Sequence, residues 1–169
     1  MAVPAVESSP GRSVYGLRVY GLDDVAELTA PNDDDHGGDE FAVRVSQVDA
    51  DRPTVVAMDA ARNVLLLADG RHLEMDRHAG TARFYGPPLE VDRLAHPYLA
   101  PVATTFNRWL GRETFHAGAF VVAGQAWVVA GVRTAGKSTL LAALADRGIP
   151  VLSDDITITD GTVAYAGPR

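Results

Sequence analysis

The eight-residue segment from Gly131 to Ser138 constrains the fold more than any other feature of this chain. Its sequence, GVRTAGKS, matches the phosphate-binding pattern G-x-x-x-x-G-K-[ST]. It contains Lys137, the single lysine among the 15 lysine and arginine residues of the chain. A compact ammonium on a flexible stem reaches between phosphate groups in a tight loop, where a planar guanidinium fits poorly. The segment therefore predicts a nucleotide phosphate site.

The sequence on either side of this segment agrees with that interpretation. Residues 126–130, AWVVA, form a short apolar run that is typical of a buried strand. Residues 138–147 are rich in alanine and leucine and predict a helix, which Gly148 and Pro150 would end. A strand, a glycine-containing loop and a helix occur here in the order that a phosphate-binding loop requires.

The residues of the loop have distinct predicted contributions. Gly131 and Gly136 let the backbone curl with its N–H groups pointing inward, and the positive end of the helix completes an anion site. Lys137 is expected to reach the terminal phosphates, and the hydroxyl of Ser138 is expected to ligate Mg²⁺. Arg133, at the loop tip, either contacts a phosphate or is solvated. The predicted nucleotide-binding residues are Gly131, Arg133, Thr134, Ala135, Gly136, Lys137, Ser138 and Thr139.

Two adjacent carboxylates and one histidine are the candidates for chemistry beside the loop. Asp154 and Asp155 follow the apolar start of residues 151–158. Adjacent strand residues face opposite ways, so these carboxylates can point at one atom only if the strand has ended. One could hold Mg²⁺ and the other could accept the proton of an attacking hydroxyl, although a solvated turn is the alternative. His116 is the third candidate, and a structural role is the alternative for it.

Composition excludes several classes of function. At 169 residues and 47% hydrophobic, the chain can bury one core or two small ones. A net charge of −7 without a basic cluster argues against nucleic acid as a partner. The absence of cysteine excludes disulfides and thiolate metal sites. No apolar stretch reaches the roughly twenty residues of a membrane span, and residues 1–12 lack a signal pattern, which predicts a cytoplasmic protein.

Hydrophobic periodicity and boundaries that contain glycine and proline divide the chain into three predicted parts. Residues 1–13 are expected to be flexible, residues 14–90 to form a β-rich region, and residues 91–169 to form the phosphate-binding domain. An acidic loop at 32–40 is expected to be solvated rather than to bind calcium. The predicted elements are strands at 15–20, 41–45, 54–58, 63–68, 73–76 and 81–85, a helix at 94–110, a strand at 114–123 and the elements of the phosphate-binding segment.

Three motifs in this order resemble the catalytic domain of HPr kinase/phosphorylase and its actinobacterial relatives. They are residues 115–119 (FHAGA), the loop 131–138, and residues 147–155 (RGIPVLSDD), and the resemblance covers about residues 94–169. It implies an α/β fold with a P-loop core of the phosphoenolpyruvate-carboxykinase kind. It also implies ATP and Mg²⁺ as cofactors and a serine hydroxyl of a protein or peptide as the acceptor.

The resemblance also implies roles for single residues. Asp154 would be the acid/base for the hydroxyl, Asp155 would be a metal-side carboxylate together with Ser138, and His116 would neighbour the phosphate. Which aspartate takes which role stays open at this point, and so does assembly into a homo-oligomer.

The chain departs from that family in three respects. Thr134 stands where these enzymes usually carry glycine, and the N-terminal region looks more like that of relatives found in peptide-modification clusters, which weakens HPr itself as the substrate. The family's domain also continues past the Asp-Asp strand, so the chain is expected to be truncated. An ATP-binding module that senses or scaffolds without transfer is therefore the alternative function, and hydrolysis by water is a weaker one.

Overall fold

The computed structural model describes residues 9–28, 30, 40–51 and 59–168. Three sequence-based expectations fall outside these residues, wholly or in part. They are the flexible segment at 1–13, of which residues 9–13 are described, the acidic loop at 32–40, of which residue 40 is described, and the predicted strand at 54–58.

A six-stranded mixed sheet forms the N-terminal part of the described chain. Its strands run in the order β1-β2-β3-β6-β5-β4, with β3 parallel to both of its neighbours and the other pairs antiparallel. Strands β5 and β6 pair across residues 77–80, which confirms the predicted hairpin. The strand bounds are β1 (Arg12–Val14), β2 (Leu17–Tyr20), β3 (Phe41–Val48), β4 (Arg62–Leu66), β5 (His72–Asp76) and β6 (Thr81–Tyr85).

Helical structure follows the sheet, but its regular part begins later than the sequence predicts. A single turn, α1 (Val91–Arg93), leads into an irregular segment, Leu94–Tyr98, and then into helix α2 (Leu99–Trp109). His96 has extended backbone angles (φ −145°, ψ 123°) and precedes a cis-proline. A residue before proline is pushed out of the helical region by the proline ring, so the prediction of one helix over 94–110 is wrong at its start.

One hydrophobic core joins the two predicted regions. Helix α2 buries Leu99, Val102 and Phe106, which share one face of the helix, in a hydrophobic cluster that also contains Val43 and Phe84 of the sheet. The buried cluster extends to Ile156 and Ile158 near the C-terminal end. The boundary predicted at residue 90 therefore does not separate two hydrophobic cores among the described residues.

Two three-stranded sheets and a second helix make up the rest. One sheet has the order β10-β8-β9 and the other the order β12-β11-β7. Because β8 is antiparallel to both β9 and β10, those two strands are parallel to each other, and helix α3 connects them. The bounds are β7 (Glu113–Phe115), β8 (Ala117–Val122), β9 (Gln125–Ala130), α3 (Lys137–Ala145), β10 (Val151–Ser153), β11 (Thr157–Thr159) and β12 (Ala164–Tyr165).

Two expectations about these strands are wrong. The predicted continuous strand at 114–123 breaks at His116, and its halves, β7 and β8, belong to different sheets. The prediction that strand β9 is buried is wrong: Trp127 and Val128 are 53% and 51% exposed, and β9 lies at the edge of its sheet. An apolar run does not reveal whether its strand lies at the centre or at the edge of a sheet.

The described chain is thus mostly β, with two helices longer than one turn. The α/β P-loop core stays a prediction. No helix in the described residues is both long enough and apolar enough to cross a membrane.

Helix α3 lies directly on strand β8 because a glycine leaves room for it. A Cβ atom placed on Gly118 would stand 2.3 Å from Cδ1 of Leu141, the buried leucine of α3. This contact sets the height of the helix above the sheet and therefore the position of the loop at its N-terminus.

Replacing Gly118 tests this packing. We expect Gly118→Ala to lower the free energy of unfolding by about 1–3 kcal/mol, because the added methyl group overlaps the Leu141 side chain. Urea denaturation measures the effect. The double variant Gly118→Ala/Leu141→Ala should be destabilised by less than the sum of the two single changes, and strict additivity would contradict the contact.

Candidate functional site

The loop between β9 and α3 turns through two left-handed residues. Thr134 has φ 71° and Gly136 has φ 87°. The N–H of Ala135 donates to the carbonyl of Val132 at 3.1 Å, which closes a turn inside the loop. Glycine adopts the left-handed conformation without strain, whereas threonine does so at a cost. Glycine would therefore fit the backbone at Thr134 with less strain than threonine does.

The N-terminus of α3 presents unbonded backbone donors to the loop. The N–H of Leu140 donates to the carbonyl of Gly136 at 2.9 Å, and no side chain caps the helix. The N–H groups of the preceding turn have no partner within the helix. Together with the positive end of the helix dipole, they form an anion site of the kind that binds phosphate.

Lys137 lies back across the loop. Its Nζ donates to the carbonyl oxygens of Gly131 at 3.0 Å and Val132 at 3.4 Å. The ammonium is thus held beside the free N–H groups of the helix terminus. An incoming phosphate can replace the two carbonyl contacts by hydrogen bonds in which both the donor and the acceptor are charged.

The two aspartates lie in a turn that follows strand β10. The strand ends at Ser153, and Asp155 has a left-handed φ of 73°. The N–H of Asp155 donates to Oδ1 of Asp154 at 2.9 Å, and the N–H of Ile156 donates to the carbonyl of Asp154 at 3.0 Å. Since the strand has ended, the alternation of side chains no longer applies, and both carboxylates reach the same cleft.

Each aspartate faces a different partner. Ser138 Oγ donates to Asp154 Oδ1 at 3.2 Å, whereas His116 Nδ1 lies 3.4 Å from Asp155 Oδ1. The hydroxyl expected to ligate Mg²⁺ is therefore next to Asp154, and the histidine is next to Asp155. These distances favour the reverse of the division that the family resemblance implies.

His116 occupies the break between β7 and β8. Its side chain is 61% exposed, and that of Asp155 is 42% exposed. This exposure argues against a core position for His116. It places the imidazole where a dissolved or protein-borne substrate can reach it.

A chain of buried hydroxyl groups fixes the turn that carries the aspartates. Thr157 Oγ1 donates to the carbonyl of Ala117 at 2.9 Å, and Ser153 Oγ lies 3.0 Å from Thr157 Oγ1. Because the Thr157 proton is committed to Ala117, Ser153 is the donor in the second bond. Ser153 and Thr157 are fully buried and flank the acid pair. Sequence reasoning missed both, although buried-strand segments rarely carry hydroxyls without a partner.

Tyr15, from the N-terminal part of the chain, lies close enough to the aspartates to sense their charge. Burial raises the pKa of its phenol, and the charges of Asp155 and Asp154 raise that pKa further. The side chain therefore stays neutral next to the acid pair. Its backbone is tied at both ends, since its N–H donates to Ala166 O at 2.6 Å and its carbonyl accepts from Asn107 Nδ2 at 3.1 Å. No sequence motif pointed to Tyr15.

The loop, the acid turn and the histidine border one open cleft of about 530 Å³. This volume is within the range of small-molecule sites. Of the eleven predicted site residues, Gly131 and Ala135 do not line it. The nine that do are His116, Arg133, Thr134, Gly136, Lys137, Ser138, Thr139, Asp154 and Asp155. Arg133 is exposed at the rim, so the structure leaves both of its predicted roles open.

The cleft can accommodate Mg²⁺ only with help from a ligand. Within the described residues, no group of three or more acidic or histidine side chains forms a metal site by itself. Magnesium commonly takes one or two protein oxygens and completes its octahedron with water and substrate phosphates. Ser138 Oγ and Asp154 Oδ1, 3.2 Å apart, fit that requirement.

Comparisons of this chain with protein-family models, with curated proteins and with solved structures found no match.

The hydrogen bonds of the two buried hydroxyl groups predict which substitution, at Thr157 or at Ser153, destabilises the protein more. We expect Thr157→Val to lower the free energy of unfolding by about 1–3 kcal/mol, because it leaves both the Ser153 hydroxyl and the Ala117 carbonyl without a partner. Ser153→Ala should cost about 1 kcal/mol or less, since Thr157 keeps its bond to Ala117. Chemical denaturation of both variants checks the order, and a larger loss for Ser153→Ala would contradict the donor assignment.

Proposed function

We propose that this chain binds ATP with Mg²⁺ in the cleft and transfers the terminal phosphoryl group to a serine hydroxyl of a protein or peptide. The observation that carries the proposal is the arrangement of two separate pairs that line one cleft. Ser138 pairs with Asp154, and His116 pairs with Asp155. Phosphoryl transfer needs a metal-side oxygen set and a group that receives the acceptor proton, and these pairs can supply one each.

Binding of the triphosphate rests on the loop. The free N–H groups at the start of α3 would bind phosphate oxygens, and Lys137 would leave its contacts with Gly131 and Val132 to bridge the terminal phosphates. The arrangement provides positive charge in a chain whose net charge is −7, so the loop differs locally from the rest of the surface.

The metal would be held on the loop side of the cleft. Ser138 Oγ and Asp154 Oδ1 would bind Mg²⁺ directly or through water, and the bound ion would neutralise charge that develops on the phosphate oxygens. Asp154 would then be the metal-side carboxylate. This proposal reverses the roles implied by the resemblance, because the serine hydroxyl is adjacent to Asp154.

The proton would be received on the histidine side. In transfer, the serine oxygen forms a bond to the γ-phosphorus while the bond from that phosphorus to the β–γ bridging oxygen breaks, and ADP leaves with the electron pair. The serine proton passes to the carboxylate of Asp155. The Nδ1 atom of His116 lies 3.4 Å from Oδ1 of Asp155, and the imidazole would hold that carboxylate in position and offset part of its negative charge.

Two separate readouts test the proposal. Calorimetry with ATP and Mg²⁺ should show binding to the wild type that falls by about 10–100-fold in Lys137→Ala, because charge-assisted hydrogen bonds to phosphate are lost. Incubation with γ-labelled ATP and serine-containing acceptors should show transfer that falls by about 10²–10⁴-fold in Asp155→Asn, the loss typical of a general base.

Matched controls are available just after α3. Arg147→Ala removes a cation that donates to Ala143 O, and Asp146→Asn removes an exposed carboxylate; neither residue lines the cleft. Both should leave nucleotide binding and transfer unchanged. Transfer that survives Asp155→Asn, or ATP binding that survives Lys137→Ala, would contradict the assigned roles.

A module that binds ATP without transfer is the second candidate function. The high exposure of His116 and Asp155 favours it, since water competes in an open cleft and a kinase must exclude water from the transferring phosphoryl group. Binding that depends on Lys137, without transfer to any acceptor, would support this candidate.

A further inference from the structure

A second cavity, unconnected to the residues of the nucleotide cleft, lies between helix α2 and strand β7. Its volume is about 430 Å³. It shares no lining residue with the proposed nucleotide cleft. The lining residues are Thr104, Arg108, Gly111, Arg112, Glu113 and Thr114.

One of the residues that line this cavity carries a buried hydroxyl without a hydrogen-bond partner. Thr114 Oγ1 is buried, and it is the only such side-chain atom in the described residues that lacks a hydrogen-bond partner. Burying a hydroxyl without a partner costs roughly 1–3 kcal/mol, so a native orphan calls for an explanation. Rotation of the Thr114 side chain into the cavity that the residue lines, toward a ligand that accepts a hydrogen bond, would supply one.

Arg112 is held in place by hydrogen bonds and still has unused N–H donors. Its Nη1 donates to the carbonyl of Gly16 and to Oδ1 of Asn107, both at 2.9 Å, and its guanidinium lies 4.2 Å from the ring centre of Tyr165. An arginine has five N–H donors, and these two bonds use only the donors on Nη1. No described residue accepts from Nε or Nη2, so Arg112 is a rigid cation with a free bonding edge.

Arg108 adds a second cation one helical turn from Thr104. Within the described part of the chain, its guanidinium has no hydrogen bond and no ion pair. Glu113, although it lines the same cavity, forms no ion pair with it. Asp160, which is close enough to Arg112 to feel its charge, is already engaged by the Tyr165 hydroxyl and by the N–H groups of Thr162 and Val163.

We propose that this cavity is a binding site for a carboxylate group. Two guanidinium groups and one carboxylate leave the lining with a net charge of +1, and the nearby Asp160 lowers the local positive charge further. This balance favours a singly charged carboxylate over a doubly charged phosphate. Guanidinium groups bind carboxylates through paired N–H donors, and the Thr114 hydroxyl would donate to the same group. The carboxylate belongs either to a small molecule or to an acidic side chain of a partner.

Binding of defined probes tests this site. We would titrate the full chain with acetate, with the capped amino acid N-acetylglutamate methylamide, and with inorganic phosphate at constant ionic strength, and follow the amide and arginine Nε signals by NMR. Both carboxylates should shift the signals of Arg108, Arg112 and Thr114. Tighter binding of the capped glutamate would assign the site to an acidic side chain, and tighter binding of acetate would assign it to a small molecule.

Three variants make the test specific. Arg108→Ala should weaken carboxylate binding by about 10-fold or more, and Thr114→Val by about 3–10-fold, because a charged and a neutral donor are lost respectively. Thr114→Val should also keep or raise the melting temperature, since it removes a hydroxyl that has no partner without ligand. Arg77→Ala, at an exposed turn, is the matched control for charge and should bind as the wild type does.

Four outcomes would overturn the proposal. They are an absence of carboxylate binding, binding unchanged in Arg108→Ala and Thr114→Val, phosphate binding tighter than both carboxylates, and shifts confined to residues 131–138 that disappear in Lys137→Ala. The last outcome would place the probes in the nucleotide cleft. Since ATP binding is measured separately through Lys137, failure of the carboxylate site leaves the proposed nucleotide site untouched.

Discussion

The buried bond from Thr157 to the carbonyl of Ala117 is the interaction on which the candidate site depends most. It joins the first residue of β11 to the first residue of β8, and Ser153 extends it to the last residue of β10. Three strands from two different sheets thus meet at one pair of hydroxyl groups. The aspartates lie in the turn between Ser153 and Thr157, so the same bonds determine where both carboxylates point.

A second constraint acts from the other side of the cleft. Helix α3 approaches β8 at Gly118, where Leu141 occupies the space that any larger residue would need. The helix N-terminus, with Lys137 and Ser138, is therefore fixed relative to the same strand that Thr157 anchors. Strand β8 carries both contacts, which explains how Ser138 Oγ comes within 3.2 Å of Asp154 although 16 positions separate the two residues.

The N-terminal sheet contributes to this arrangement as well as to the core. Tyr15 places a neutral, buried phenol beside the acid pair, and the bond from its N–H to Ala166 ties the N-terminal strands to the end of the described chain. The charge of the two aspartates is thereby coupled to a buried phenol that lies more than 130 positions away along the sequence.

Local signals in the sequence were sufficient to place the loop, the following helix and the acid pair. The pattern at Gly131 to Ser138 depends on residues that are neighbours in the chain, and the β5–β6 hairpin likewise depends on a short turn. The break at His116 and the exposure of β9 depend on which strands pair, and strand pairing is decided by contacts between distant segments. Ser153, Thr157 and Tyr15 were missed for the same reason, because their importance arises only from tertiary contacts.

The magnesium dependence of ATP binding tests most directly the proposal that Asp154 holds the metal and Asp155 receives the proton. Calorimetric titrations at several Mg²⁺ concentrations would compare the wild type with Asp154→Asn and Asp155→Asn. The account predicts that Asp154→Asn requires about tenfold or more Mg²⁺ for half-maximal binding, whereas Asp155→Asn follows the wild-type curve. A shift in Asp155→Asn with none in Asp154→Asn would contradict it.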